Sequence, residues 1–156
     1  MQDDRQRLIA EARTWLGTKY HKRGLVKGAG CDCYTLVVLC LQAIGLAGDA
    51  DFPAHGDDWW MNCTDQEYYK RIMRFASEKV RGTGLWGTLK LAPGDIVLVR
   101  VNRASEIFSH GGIVTAWPKL IHCADQVREI NAWQDPMWRG HEIVALDPFK
   151  LKAANA

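Results

Sequence analysis

The sequence predicts a single α+β domain in which helices come first and an antiparallel sheet follows. Three observations carry this. Apolar residues recur at helical spacing from Leu8 to Leu16, and a segment apolar on every side runs from Tyr34 to Ile44. Beyond Leu91 the chain breaks into short apolar stretches separated by glycine, proline and polar turns. With 156 residues, 47% of them apolar and 24% charged, the chain can bury a core as one domain without covalent staples.

In DDRQRLIAEARTWLG, Leu8, Ile9, Ala12, Trp15 and Leu16 share one helical face. Asp3 or Asp4 suits the N-cap, and Gly17 suits the end. A Gly- and Lys-rich loop from Thr18 to Gly30 leads to the all-apolar segment, read as a helix buried on every side with Asp32 as N-cap and Gly45 as C-cap. AGDADFPAHGDDWWMNC (47–63) is turn-rich and aromatic, a long ordered loop in which His55 is expected to be exposed. Trp59 and Trp60 in that loop either wall a substrate groove or cover the core. Thr64 and Glu67 form a capping box that predicts a helix through about Val80. LAPGD (91–95) leads into a buried strand, Ile96 to Val99. Two more strands, Phe108 to Val114 and Lys119 to Cys123, flank a Trp117-Pro118 turn, and others are expected near 127–131 and 141–146. Trp138 and His141 read as sheet packing, and KAANA as a frayed tail. No repeat, low-complexity stretch or interdomain linker stands out.

A net charge of +2 with scattered basic residues gives no electrostatic footprint for nucleic acid. Five cysteines, an odd number without regular spacing, read as reduced thiols rather than a disulfide framework. MQDDRQRL lacks the basic-then-apolar pattern of a signal peptide, and the run from Leu36 to Ile44 is too short to insert in a membrane. The expectation is a protein made soluble in the cytoplasm, with any action outside it depending on a separate delivery route.

The chemistry centres on GAGCDCYTLVVLC (28–40). With Asp32 as cap, Cys33 takes the first helical position and Cys31 lies one residue outside. A thiol at a helix N-terminus meets free backbone N–H groups and the positive end of the dipole, which favours its thiolate. Cys33 is therefore expected to have an apparent pKa below the roughly 8.5 of a free thiol, although the Asp32 charge opposes this. For an arbitrary cysteine the plainer reading is a small core residue, and Cys40, Cys63 and Cys123 are read so. A nucleophile needs a base. His110 in SHGGIV and His122 in KLIHCAD lie on consecutive strands. A turn of Thr115, Ala116 and Trp117 would set them directly opposite, with Cβ atoms about 5 Å apart. A slip of one residue would send them to opposite faces. Together they could take and orient the thiol proton, although either alone would read as a structural histidine.

LGTKYHKRG, GCDCYTLV, LAPGDIVLV, SHGGIV and LIHCAD resemble, in order, the blocks of the NlpC/P60 cysteine peptidases, over about residues 5 to 125. More closely they resemble the short stand-alone branch found in phages and prophages. The resemblance implies a papain-like fold and no cofactor. It makes Cys33 the nucleophile, His110 the base and His122 the residue that orients the base. Tyr20 would lie near the oxyanion, and Asp32 would grip the free amino group of the substrate. It further implies hydrolysis of a stem-peptide amide of bacterial peptidoglycan, typically between D-glutamate and the diamino acid, with phage-tail or other delivery proteins as partners. Tyr34 and Thr35 depart from the usual Ser-Gly or Leu-Gly after the cysteine and are expected to alter substrate choice, Tyr34 by narrowing the pocket.

Two other readings use the same residues. Cys31, Cys33, His110, His122 and Cys123 are all zinc-ligand types, but C-x-C is tighter than the common clip and adjacent His122 and Cys123 share a metal poorly. A non-catalytic tail-assembly or adaptor protein could keep the fold, yet would need none of the Cys, His, His set.

Overall fold

The computed structural model describes residues 2–52, 66–83 and 88–150. Trp59, Trp60, His55, Cys63 and Thr64 lie outside the described residues. Helix α1 (Gln2–Thr14) precedes a two-stranded hairpin, β1 (Leu25–Val26) and β2 (Gly30–Cys31). Helix α2 (Cys33–Ala43) and the short α3 (Glu67–Ile72) follow. Six strands complete the chain: β3 (Ser77–Gly82), β4 (Ile96–Val99), β5 (His110–Ala116), β6 (Lys119–Cys123), β7 (Val127–Asn131) and β8 (Ile143–Asp147). They form one antiparallel sheet in the order β3-β8-β4-β5-β6-β7. The expected α+β class, with a buried helix on an antiparallel sheet, is what the chain adopts.

Strand alternation sorts the core into two layers. Ile96, Leu98, Ile113, Ile121, Val144 and Leu146 face α1 and α2, where Leu8, Ala12 and the buried side of α2 meet them. Val97, Val99, Val114, Leu120, Ile143 and Ala145 face the other way and are covered by Ala132 and Trp138 from the segment after β7. On α1, Leu8, Ile9, Ala12 and Trp15 are buried as the periodicity requires, but Leu16 is exposed because the helix ends at Thr14. Asp3 and Asp4 sit inside the first turn, where they complement the dipole rather than cap. Helix α2 is buried almost throughout and ends in a Schellman arrangement: Gly45 takes φ +80°, its N–H bonds to Gln42 O at 2.9 Å and the Leu46 N–H to Leu41 O at 2.8 Å. No described helix is long and apolar enough to cross a membrane.

The largest departure from sequence expectation is the predicted helix through Val80. Helix α3 stops at Ile72, and Ser77 to Gly82 form β3, paired along β8. Tertiary pairing overrides the helical preference of Glu78, Lys79 and Arg81, and these charges suit an exposed sheet edge. The strand also delivers Lys79 to Asp95, which is fully buried. Asp95 accepts from Arg5 Nη1 at 2.9 Å, Lys79 Nζ at 2.7 Å and the Ala92 N–H at 2.8 Å, while Arg5 Nη2 reaches Asp147 at 2.9 Å. One carboxylate thus ties α1, the edge strand and the LAPGD turn together. Asp95→Ala is expected to destabilise the fold by about 3 kcal/mol, since it takes from Lys79 its carboxylate and from Arg5 one of its two at a partly buried site. Urea unfolding measures this, and an unchanged midpoint would show that the network is not structural.

Candidate active site

Asp32 is the hinge of the site. Its Oδ1 accepts the N–H groups of Tyr34 at 3.0 Å and Thr35 at 2.8 Å, and its Oδ2 accepts the Arg23 N–H at 2.8 Å. Thr35 Oγ1 accepts the Asp32 N–H at 2.9 Å, completing a capping box. Cys33 is therefore at the first helical position, as expected, and the 18–30 loop is fastened to the same carboxylate. Thr35 is thus accounted for as a cap partner, buried at 1% exposure.

Cys33 is buried with 8% exposure. Its carbonyl accepts the Tyr68 hydroxyl at 2.8 Å. A Cβ on Gly111 would lie 2.6 Å from that hydroxyl and 2.6 Å from Leu98 Cδ2, so the glycine after His110 is what lets Tyr68 reach helix α2. Tyr68 was invisible to sequence reasoning, because nothing local marks a tyrosine on a short helix as a partner of residue 33. Burial pushes the Cys33 thiol well above its ordinary value, and the Asp32 charge pushes the same way. The N–H groups of Gly111, Tyr34 and Cys33 itself favour the thiolate but offset only part of this. The expected low thiol pKa is therefore corrected: desolvation outweighs the helix end.

The histidines come together by a different register from the expected one. Gly112, not His110, stands opposite His122: Ala116 pairs with Lys119 across a tighter turn, an offset of three, and a bulge between Val114 and Ala116 takes one residue back. The offset is two residues, which keeps both side chains on one face. His110 Nε2 and His122 Nδ1 are 2.8 Å apart with rings nearly perpendicular. Both rings lie on the face that Trp138 covers, and the Trp138 indole N–H reaches His122 Nδ1 at 3.2 Å. Cys33 meets β5 from the α2 side at the Gly111 N–H, one residue from His110. His110 Nε2 is thus engaged by His122. Burial lowers the His110 pKa well below its ordinary value, with His122 adding to the effect. Burial also lowers His122 to about 4 against the opposing pull of Asp135 and Asp125.

The other expected residues have partners of their own. The Tyr34 ring packs edge-on to Tyr68 and Phe52, and its hydroxyl donates to Asp51 O at 3.1 Å. Tyr34 thus anchors the segment leading into 53–65. Tyr20 has a side chain 40% exposed and a backbone bridged to Cys31. Cys31, whose role the sequence left unexplained, is fully buried, and its carbonyl accepts the His21 N–H at 2.9 Å and the Cys123 thiol at 3.4 Å. Cys40 is a core residue. Among the described residues no group of three or more His, Cys, Asp or Glu side chains is arranged to hold a metal ion.

Both histidines resist protonation in the fold, whereas in the unfolded chain they titrate near 6.5. Between about pH 6.5 and 4 the unfolded chain therefore binds more protons, and stability rises with pH. The urea midpoint is expected to fall as pH is lowered through this window, and His122→Asn to flatten part of that slope. A variant slope equal to that of the parent would show that His122 does not titrate differently on unfolding.

No sequence-family profile and no curated protein sequence matches the chain. Its structure does find relatives. A Staphylococcus aureus subsp. aureus Mu50 protein of the NLP/P60 family, similar to lipoprotein, superposes with a TM-score of 0.62 at 17% identity. The match covers 94% of this chain and 42% of that one, so the chain spans less than half of that relative. The NlpC/p60 domain of the peptidoglycan hydrolase SagA superposes with a TM-score of 0.53 at 14% identity, covering 90% of this chain and 96% of that domain. The papain-like α+β architecture expected from the motifs is thus matched by solved structures, and the chain carries the NlpC/P60 fold.

Proposed function

We propose that the protein is a cysteine peptidase that hydrolyses an amide bond in the stem peptide of bacterial peptidoglycan, of the D-glutamyl–diamino acid type. The observation that carries this is the pairing of a capped, buried helix-start cysteine with two histidines joined at 2.8 Å on the strands it packs against. A scaffold protein has no use for such a buried imidazole pair. The peptidoglycan substrate is drawn from the fold shared with the SagA hydrolase domain and from the motif blocks.

In this reading the thiol and imidazole rest neutral, so proton transfer accompanies attack rather than preceding it. Cys33 gives its proton to His110 as sulfur attacks the amide carbonyl. The Cys33 N–H and the Tyr20 hydroxyl stabilise the oxyanion. His110 then protonates the leaving amine, a water hydrolyses the thioester, and the acid product and free thiol are released. His122 holds the His110 ring. Asp32 receives the free amino group of the substrate, a role resting on the motif resemblance, and Tyr34, Trp59 and Trp60 belong to the substrate side on the same footing.

Digestion of muropeptides followed by mass spectrometry tests both activity and bond. Cys33→Ala is expected to abolish cleavage, a loss of at least about 10³-fold given what an activated nucleophile supplies. Cys31→Ala is expected to leave most of the activity, apart from a stability cost. Cleavage that survives Cys33→Ala, or no cleavage of any stem peptide by the parent protein, would overturn the reading.

A further inference from the structure

Trp138 was read from sequence as packing, and its ring is indeed fully buried. Its polar atom has a more specific place. An indole N–H can only donate, so the atom it meets, His122 Nδ1 at 3.2 Å, must present a lone pair. A neutral imidazole carries one proton, which puts that of His122 on Nε2. The same Nδ1 lies 2.8 Å from His110 Nε2. Two lone pairs facing each other at that separation would repel, so His110 Nε2 is the donor. The remaining nitrogen of His110, Nδ1, is then unprotonated, and it belongs to the residue that precedes Gly111, whose N–H meets Cys33.

We propose that Trp138 is a positioning residue that fixes the tautomers of both histidines, so that His110 presents a basic Nδ1 to Cys33. The opposite arrangement would have His122 donate from Nδ1 to His110 and would place the His110 proton on Nδ1. That tautomer pair has no acceptor for the thiol proton, and it would press the indole N–H against another N–H inside the protein, leaving a buried donor unpaired. Burial, which keeps both rings neutral, makes the choice binary. The groups that act on His122 electrostatically, Asp125, Asp135 and Arg128, alter its charge but do not donate to Nδ1. Trp138 is held for this task by the tight turn after β7, where its N–H bonds to Asp135 O at 3.1 Å and the Asp135 N–H to Asn131 O at 3.0 Å.

The catalytic consequence rests on the cysteine-peptidase reading; the tautomer assignment does not. Long-range proton–nitrogen correlation spectra of the ¹⁵N-histidine-labelled protein near neutral pH report which ring nitrogen bears the proton. The expected result is the Nε2–H tautomer for both His110 and His122. Trp138→Phe, which keeps the ring and removes the N–H, is expected to populate the Nδ1–H tautomer of His122 and to lower kcat on muropeptides by about tenfold with KM unchanged. Finding His122 as the Nδ1–H tautomer in the parent protein, or parental tautomers in Trp138→Phe, would overturn the proposal. If that variant does not fold, the parental spectrum alone decides. Parental Nε2–H tautomers without muropeptide cleavage would support the assignment while removing the peptidase reading.

Discussion

The Asp32 carboxylate is the constraint on which the site depends. Three backbone N–H groups from two distant stretches converge on it, two from the start of α2 and one from Arg23 in the preceding loop. Arg23 adopts φ +57°, a conformation that side chains rarely take, and its bond to Asp32 is what holds the loop there. Without the cap, the first turn of α2 would lose the satisfied donors that define where the helix begins. Cys33 would then lose its fixed position against β5. The same carboxylate is a negative charge beside the thiol, so the device that places Cys33 also disfavours its ionisation.

In the proposed peptidase reading, that opposition defines the chemistry. Cys33, His110 and His122 are all nearly excluded from solvent, and burial dominates each of their shifts, raising the thiol and lowering both imidazoles. A resting ion pair would need two charges in a poorly solvated place. A neutral pair avoids that cost and puts the demand on geometry instead: the proton must have an acceptor already aimed at it. The contacts of Tyr68 with the Cys33 carbonyl, of His122 with His110, and of Trp138 with His122 are all bonds that hold orientation rather than charge.

Much of this was legible in the sequence, because it rests on local rules. Asp32 before an all-apolar run announced a capped, buried helix, and Gly45 announced its end. The strands at 96–99, 119–123 and 127–131 followed from short apolar stretches between turns. What was not legible depended on long-range pairing. Residues 77–82 carry helix-favouring charges and form a strand because β8 offers an edge. The two-residue turn after Ala116 shifted the register by three and the bulge before it took one back, so the histidines met only because the net offset of two is even. Thr35 read as a change in the substrate pocket and proved to be half of the capping box. The sulfur's environment depended on Gly111 and on burial, neither of which residue order displays. Tyr68 and Trp138 carried no local signal at all, since their partners are 35 and 16 residues away.

The central claim is that Cys33, and no other thiol, becomes covalently attached to substrate. Rapid acid quenching of the protein during turnover of a muropeptide, followed by proteolysis and mass spectrometry, tests it directly. The account predicts an acyl mass increment confined to the peptide bearing Cys33 and absent from Cys33→Ala. An increment on Cys31 or Cys123, or steady cleavage by a Cys33→Ala protein, would contradict it.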